Sequence, residues 1–449
     1  MRKKIISIVL LLVVGGLAYA ITTNYPKLNI ITAYAAKKMC SCTFIADRSQ
    51  ESIQAEDLGI SLLSLSETII DRELKTATST IFGMKAKTAE YRGKLGCVLV
   101  HGEDNYKIEF PKGISPSEDL SNLPFPYGDK IEKHTVRGIN YEKLNEAADL
   151  AFDPNNEMIN LKTRSLLVLH KDSIVLERYA KGYDENTEIL GWSMTKSIMN
   201  AWVGMMVKDS LLKLSNNNLF EGWNADGRKK ISLNDLLHME SGLEWEEVYS
   251  EISTATNMLY NSEDNGGLAM NQPLEFDPGT YWEYSSGTSN IISKYLRNQF
   301  TNYDDYLRFP HKRIFEKLNM ANTTMEVDES GGYIGSSYCY ATTRDWARFG
   351  TFYLRDGVWN GERLLPEGWV DYTKTPAKTS DGRYGAHFWT NAGSKYYKDA
   401  PLDMYSANGY EGQRVFIIPS KDLVIVRMGL SENFDFNSLV KNICDSVEN

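Results

Sequence analysis

The chain has 449 residues, 42% of them hydrophobic, and a formal net charge of -10. That length buries one large core or two moderate ones. The acidic balance, with no basic stretch interleaved with aromatics, argues against nucleic acid as a partner.

At the N-terminus, Met1-Arg-Lys-Lys4 precedes an apolar run from Ile5 to Ile21, and Ala18-Tyr19-Ala20 fits a small-x-small cleavage site. Residues 1–21 are expected to be a cleaved signal peptide or a retained anchor, because the run sits at the short end of a membrane span of roughly 17–25 residues. Either way the expected location is periplasmic or elsewhere in the cell envelope, with inner-membrane anchoring under the second reading. The five cysteines, Cys40, Cys42, Cys97, Cys339 and Cys444, leave at least one unpaired within the chain. Cys40-Ser41-Cys42 has no further Cys or His cluster at zinc spacing, so no metal is expected. A disulfide from one of that pair to Cys97 is an option the spacing does not decide. No motif calls for a cofactor.

Residues 22–140 form an N-terminal segment of unknown role. Within it, 96–100 predicts a short strand, and 111–126, with four prolines, predicts loop. Residues 141–152 carry helix periodicity, and the principal domain, 141–449, is taken to start there. Residues 165–179 hold two apolar runs split by Lys171-Asp172, a predicted hairpin.

Gly191-Trp192-Ser193-Met194-Thr195-Lys196-Ser197 follows. On a helix, Ser193 and Lys196 share one face within hydrogen-bond reach. A serine hydroxyl needs a base near neutral pH, and a neutral lysine at i+3 supplies one without histidine. Ser-x-x-Lys also occurs at Ser210–Lys213 and Ser438–Lys441. Context favours the first: residues 198–207 are apolar nearly all round and predict a buried helix. Ser193 then sits at its start, where N–H groups and the dipole stabilise developing negative charge. The alternative there is a helix-capping serine.

Further on, Glu240, Glu244, Glu246 and Glu247 surround Trp245. They read as a solvated acidic face, with attraction of an ammonium-bearing substrate as the alternative. Trp192, Trp245, Trp282 and Tyr410 are candidates either to wall a cleft or to pack in the core. Tyr284 follows a Pro278-Gly279 turn. Beside a lysine ammonium its pKa is expected below the usual value of about 10, so that it acts as a phenolate base or shares one proton with the lysine. The alternative is a buried core tyrosine.

The C-terminal part alternates toward strands at 384–389, 414–418 and 423–428, the last two joined by Pro419-Ser-Lys-Asp422. Lys441 to the end is expected to be part of a closing helix. Asn408-Gly409-Tyr410-Glu411-Gly412-Gln413 places two glycines three apart at a strand start, where backbone can approach closely. An N–H there is a candidate half of an oxyanion hole, with the N–H of Ser193 as the other half. The alternative is an ordinary tight turn. Strands at both ends of 141–449 with helices between predict an α+β fold, its antiparallel sheet built from both ends of the domain.

Together these pieces resemble the serine β-lactamase and penicillin-binding-protein superfamily, in its class C-like branch. The superfamily's Ser-x-x-Lys, Tyr-x-Asn and Lys-Thr-Gly boxes correspond in order to Ser193-Met-Thr-Lys196, Tyr284-Ser-Ser286 and Tyr410-Glu-Gly412. Leu236-Leu-His-Met-Glu-Ser-Gly-Leu243 resembles the family's Leu-Leu-x-His-x-Ser-Gly-Leu, with the histidine one place early. Ile314-Phe-Glu-Lys-Leu-Asn-Met320 and Ala341-Thr-Thr-Arg-Asp-Trp-Ala-Arg-Phe-Gly350 resemble later segments. The resemblance covers 141–449 and implies a β-lactamase/transpeptidase-like fold with a helical subdomain. It departs at Tyr410, where the family has lysine, and at Ser286, where it has asparagine. Lys378-Thr379-Ser380 lies too early to stand in. These departures point away from penicillin and toward the 6-aminohexanoate-dimer hydrolases and family VIII carboxylesterases.

The resemblance implies a serine hydrolase acting on a small amide or ester. Ser193 attacks, and Lys196 and Tyr284 move its proton. The N–H groups of Ser193 and Gln413 hold the oxyanion, beside a substrate surface of Gly412, Tyr410 and Ser286. The other reading is a β-lactamase or penicillin-binding-like peptidase or sensor that acylates without efficient turnover. A histidine-based elbow is absent, because Gly191-Trp-Ser-Met-Thr lacks the second glycine.

Overall fold

A computed structural model describes residues 25–102, 108–112, 121–132, 135–152, 161–431 and 433–448. The predicted signal or anchor segment, 1–21, lies outside them. Among the described residues no helix is long and apolar enough to cross a membrane.

The N-terminal segment is built on helix α1 (Lys27–Phe44), whose residues from Thr32 to Thr43 are buried apart from Tyr34. Ala33, Ala35 and Ala36 bring its backbone close to its neighbours. It packs on an antiparallel meander of β1 (Ser66–Asp71), β2 (Thr76–Ile81), β3 (Met84–Tyr91) and β4 (Cys97–Val100). The last of these is the strand expected at 96–100. The disulfide pairing that spacing leaves open is Cys40–Cys97, tying α1 to β4, while Cys42, Cys339 and Cys444 are free and buried. The described part of 111–126 holds no helix and no strand beyond an isolated bridge at Pro124.

The principal sheet begins after helix α2 (Tyr141–Phe152) with β5 (Thr163–His170) and β6 (Ser173–Tyr179). Their turn is Lys171-Asp172, both at positive φ (49° and 61°), the geometry whose twist matches a two-residue hairpin. Helices α3 (Thr195–Lys208), α4 (Ser286–Arg297) and α5 (Thr343–Leu354) follow. Strands β7 (Trp389–Thr390), β8 (Tyr405–Gly409), β9 (Gln413–Ile418) and β10 (Leu423–Gly429) come next, then helix α6 (Phe436–Asp445). The six strands lie in the order β7-β8-β9-β10-β5-β6, every neighbour antiparallel. The expected α+β sheet joined from both ends of the domain is therefore present.

Both faces of the sheet are covered, so its central strands are apolar throughout instead of alternating. Leu166 and Val168 pack with α2 and α6 on one face. Leu167 and Leu169 join α5 and the helical region on the other. Fully burying such a side chain contributes about 1.5–3 kcal/mol. Helix α5 lies close because Gly350 has no side chain: a Cβ there would meet Val424 Cγ1 at 2.6 Å and Val415 Cγ1 at 2.8 Å.

Two expectations near the C-terminus need correction. Residues 384–389 are not a strand; only Trp389 enters one. Tyr384 bridges back to Trp389 across a tight turn in which Gly385 N–H donates to Phe388 O at 2.8 Å and His387 has φ 57°. The turn carries the His387 ring inward, with Nδ1 2.9 Å from Lys196 O and Nε2 3.2 Å from Ser289 Oγ. Burial holds that imidazole down to about 3. The edge is only the two-residue β7, and the longer strand beside it is β8, whose Ser406-Ala407-Asn408 has no apolar strand signature. The closing helix expected to hold Lys441 is α6, which stops at Asp445 instead of running on.

Candidate active site

A small sheet delivers the chain to the site. Ile189–Leu190 pairs with Cys339–Ala341, which pairs with Thr323–Met325. Gly191 N–H then donates to Cys339 O at 2.8 Å. Trp192 turns the backbone at φ 49°, a single 3-10 turn (Trp192–Met194) follows, and α3 begins. No side chain caps either helix, so the capping alternative for Ser193 does not hold.

Ser193 and Lys196 meet as the spacing predicts. Lys196 Nζ lies 3.0 Å from Ser193 Oγ, 3.1 Å from Ser286 Oγ and 3.0 Å from Ser336 O. As an ammonium, its three N–H bonds have three acceptors. As a free amine, it turns a lone pair toward one of them. Lys196 is 1% exposed, and burial pushes its pKa down to about 8, against the pull of Glu247.

The Tyr284 hydroxyl bonds with Ser193, and Lys196 Nζ sits 4.9 Å from the tyrosine ring centre. The expected lowering of the Tyr284 pKa is overturned. Burial, then Glu247, push it above the ordinary value and outweigh Ser193 and Arg414. Tyr284 is therefore a neutral phenol at neutral pH. Its ring packs 5.4 Å from Trp389 and 5.7 Å from Tyr384, centre to centre.

Glu247 corrects the reading of the acidic cluster. Its carboxylate accepts from Trp245 Nε1 at 2.5 Å, Tyr249 OH at 2.7 Å, Ser286 N at 2.9 Å and Ser286 Oγ at 2.5 Å. It thereby fixes the residue that touches Lys196. Glu240 is also buried, accepting from Thr379 Oγ1 at 2.7 Å and Thr379 N at 3.2 Å. Only Glu244 and Glu246 are exposed. Four acids within eight residues gave no local sign of which one turns inward.

These groups open into a cleft of about 530 Å³, bordered by Ser193, Tyr284, Tyr249, Trp389, Gly409 and Tyr410. Tyr410 is 37% exposed and stands edge-on to Trp192, centres 5.7 Å apart. Trp192 and Trp245 are buried. Trp282 packs under Arg383. Among the described residues, no group of three or more His, Cys, Asp or Glu is placed to hold a metal ion.

Gln413 and Gly412 do not border the cleft. Gln413 is 1% exposed, and its amide bonds both main-chain groups of Gly429, at 2.6 and 2.9 Å. It pairs across the turn from Gly409, and it is Gly409 and Tyr410 that border the cleft with Ser193. Gly409 allows the approach: a Cβ there would lie 2.1 Å from Gly191 O. The main chain beside the nucleophile is thus that of Gly409 and Tyr410. The other Ser-x-x-Lys matches lie elsewhere. Ser438 bonds Asp435 and Lys441 pairs with Asp445 on α6, while Ser210 is an exposed turn residue.

Residues 152–436 match the profile of the Beta-lactamase family, and the chain belongs to that family. A 6-aminohexanoate-dimer hydrolase of Paenarthrobacter ureafaciens is 23% identical over 294 residues, 59% of this chain and 72% of the relative. The fold is similar to that of a family VIII carboxylesterase, with TM-score 0.55 and 14% identity over 71% of this chain and 99% of that one. It is also similar to EstCE1, described as a hydrolase with promiscuous acyltransferase activity, with TM-score 0.56 and 13% identity over 69% and 99%. The family resemblance and the fold expected from the three boxes hold.

Proposed function

We propose that the protein is a serine hydrolase that cleaves a small amide or ester through an acyl group on Ser193. The contact that carries this reading is Lys196 Nζ, buried and 3.0 Å from Ser193 Oγ, with its pKa lowered to about 8 so that a fraction is free amine at neutral pH. The amine takes the Ser193 proton as Oγ bonds to the substrate carbonyl carbon. The oxyanion faces the Ser193 N–H and the main chain at Gly409–Tyr410, instead of Gln413. Such a donor is worth about 10²–10³ in rate. As the tetrahedral adduct collapses, Tyr284 gives its proton to the leaving nitrogen or oxygen, and the Lys196 ammonium restores it. Water then enters by the reverse relay and releases the acid. Export of the chain is part of the proposal, supported by the Cys40–Cys97 disulfide, which persists in oxidising compartments.

The test is a fluorophosphonate with intact-mass readout, beside Ser193→Ala. One adduct, lost in the variant, is expected, followed by turnover of p-nitrophenyl esters or of 6-aminohexanoate dimer. No adduct on folded protein would overturn the reading. An adduct-competent protein that forms but does not release an acyl group from any amide or ester would instead be a sensor.

A further inference from the structure

Helix α1 reaches the back of the nucleophile turn. Lys37 and Lys38, adjacent on it, are only 2% and 3% exposed. Neighbouring helix residues point about 100° apart, so the two cations meet different partners. Lys37 pairs with Glu326 at 3.0 Å and donates to Cys97 O. Glu326 directly follows Thr323–Met325, in the small sheet that delivers Gly191.

Lys38 pairs with Asp57 at 3.1 Å and Glu411 at 3.8 Å, and lies 5.3 Å from the Trp192 ring centre. Asp57 also holds Arg48 at 2.5 Å and Arg164 at 2.8 Å. Glu411 Oε2 in turn accepts Trp192 Nε1–H at 2.9 Å. Burial disfavours the Lys38 ammonium, but Glu411 and then Asp57 outweigh it and raise its pKa.

Trp192 and Glu411 share a second property. Both are non-glycine residues in the left-handed region, at φ 49° and 59°. Such backbone persists only where its surroundings over-determine it, and it concentrates at functional sites. Trp192 immediately precedes Ser193, and Glu411 immediately follows Tyr410. Their hydrogen bond therefore joins the nucleophile turn to the β8–β9 turn, and the Lys38 ammonium sits against that bond.

We propose that Lys38 is a positioning residue: by neutralising buried Glu411 it holds Trp192 and the β8–β9 turn so that Ser193 faces the main chain of Gly409 and Tyr410. The inference rests on Ser193 being the nucleophile. It makes the N-terminal segment, which lies outside the matched residues 152–436, a working part of the site. Lys38 itself touches no substrate; it acts through Glu411 and Trp192.

The experiment compares full-length wild type, Lys38→Met, Glu411→Gln and the double variant. The readouts are the second-order rate of fluorophosphonate acylation and the thermal midpoint. Lys38→Met removes an ammonium from beside buried Glu411, and its acylation is expected to slow about tenfold or more. Glu411→Gln keeps an oxygen for the Trp192 N–H but removes the charge. The double variant is therefore expected to recover to within about threefold of wild type. Loosening of α1 alone would not be repaired by a change at Glu411. Wild-type acylation by Lys38→Met, or a double variant as slow as Lys38→Met, overturns the proposal. If Lys38→Met does not fold, Trp192→Phe decides: loss of the indole N–H is expected to slow acylation about tenfold, and an unchanged rate overturns the proposal. Wild type that takes no label at all defeats the nucleophile reading beneath it, a result distinct from equal labelling of wild type and variants.

Discussion

Raising the pH through the Lys196 titration should switch acylation on. Only the free amine can accept the Ser193 proton, and burial sets its midpoint at about 8. About one lysine in a hundred is then free amine at pH 6, about one in ten at pH 7 and half at pH 8. The second-order rate of fluorophosphonate labelling reports the free enzyme. It should climb about tenfold from pH 6 to 7 and flatten above about pH 9. Glu247→Gln tests the cause. The Glu247 carboxylate favours the ammonium, so its removal should move the midpoint to lower pH. The plateau should fall as well, because Ser286 loses a charged acceptor. Stopped-flow labelling of both proteins, with Ser193→Ala as baseline, measures this directly. A rate flat from pH 6 to 9, a midpoint at the ordinary lysine value of 10.5, or an upward shift in Glu247→Gln would refute the reasoning.

Further outcomes are expected at three places. Asp57→Ala leaves Lys38, Arg48 and Arg164 without their shared carboxylate, and denaturant unfolding should show a loss of about 3–5 kcal/mol. In wild type those cations outweigh the burial of Asp57 and hold its carboxyl far below the usual range. Its contribution is therefore present above the unfolded value of about 3.9 and lost as pH falls toward the folded one, and Asp57→Asn should lack that acid slope. Gly409→Ala forces β8 away from Gly191 O; labelling should slow about 10²-fold, and an unchanged rate would show the strand can shift freely. Reducing Cys40–Cys97, which closes a 57-residue separation, should lower unfolding stability by about 2–4 kcal/mol.

Much of the fold is legible locally. The hairpin at Lys171-Asp172, helix α3 and strands β9 and β10 announce themselves by apolar runs and turn residues. Ser193 and Lys196 do so by a helical spacing that needs no distant partner. Other features carry no local mark. His387 breaks an apparent strand because its ring is drawn toward Lys196 O and Ser289. Glu247 looks like its acidic neighbours until Ser286, thirty-nine residues on, donates to it twice. Tyr410 and Gln413 lie three residues apart on one turn, and only the packing of Gly409 on Gly191 decides which side faces the cleft.

By itself, then, the sequence determined the boxes, their order, and the pairing of a serine with a lysine one helical turn away. Tertiary structure alone decided which of four clustered acids holds Ser286, that Tyr284 stays a phenol, and that Lys38 arrives behind Trp192. The physical reason is that hydrogen-bond reach along a helix is a short-range property. Desolvation and charge pairing sum over everything folded around a group, wherever in the chain it comes from.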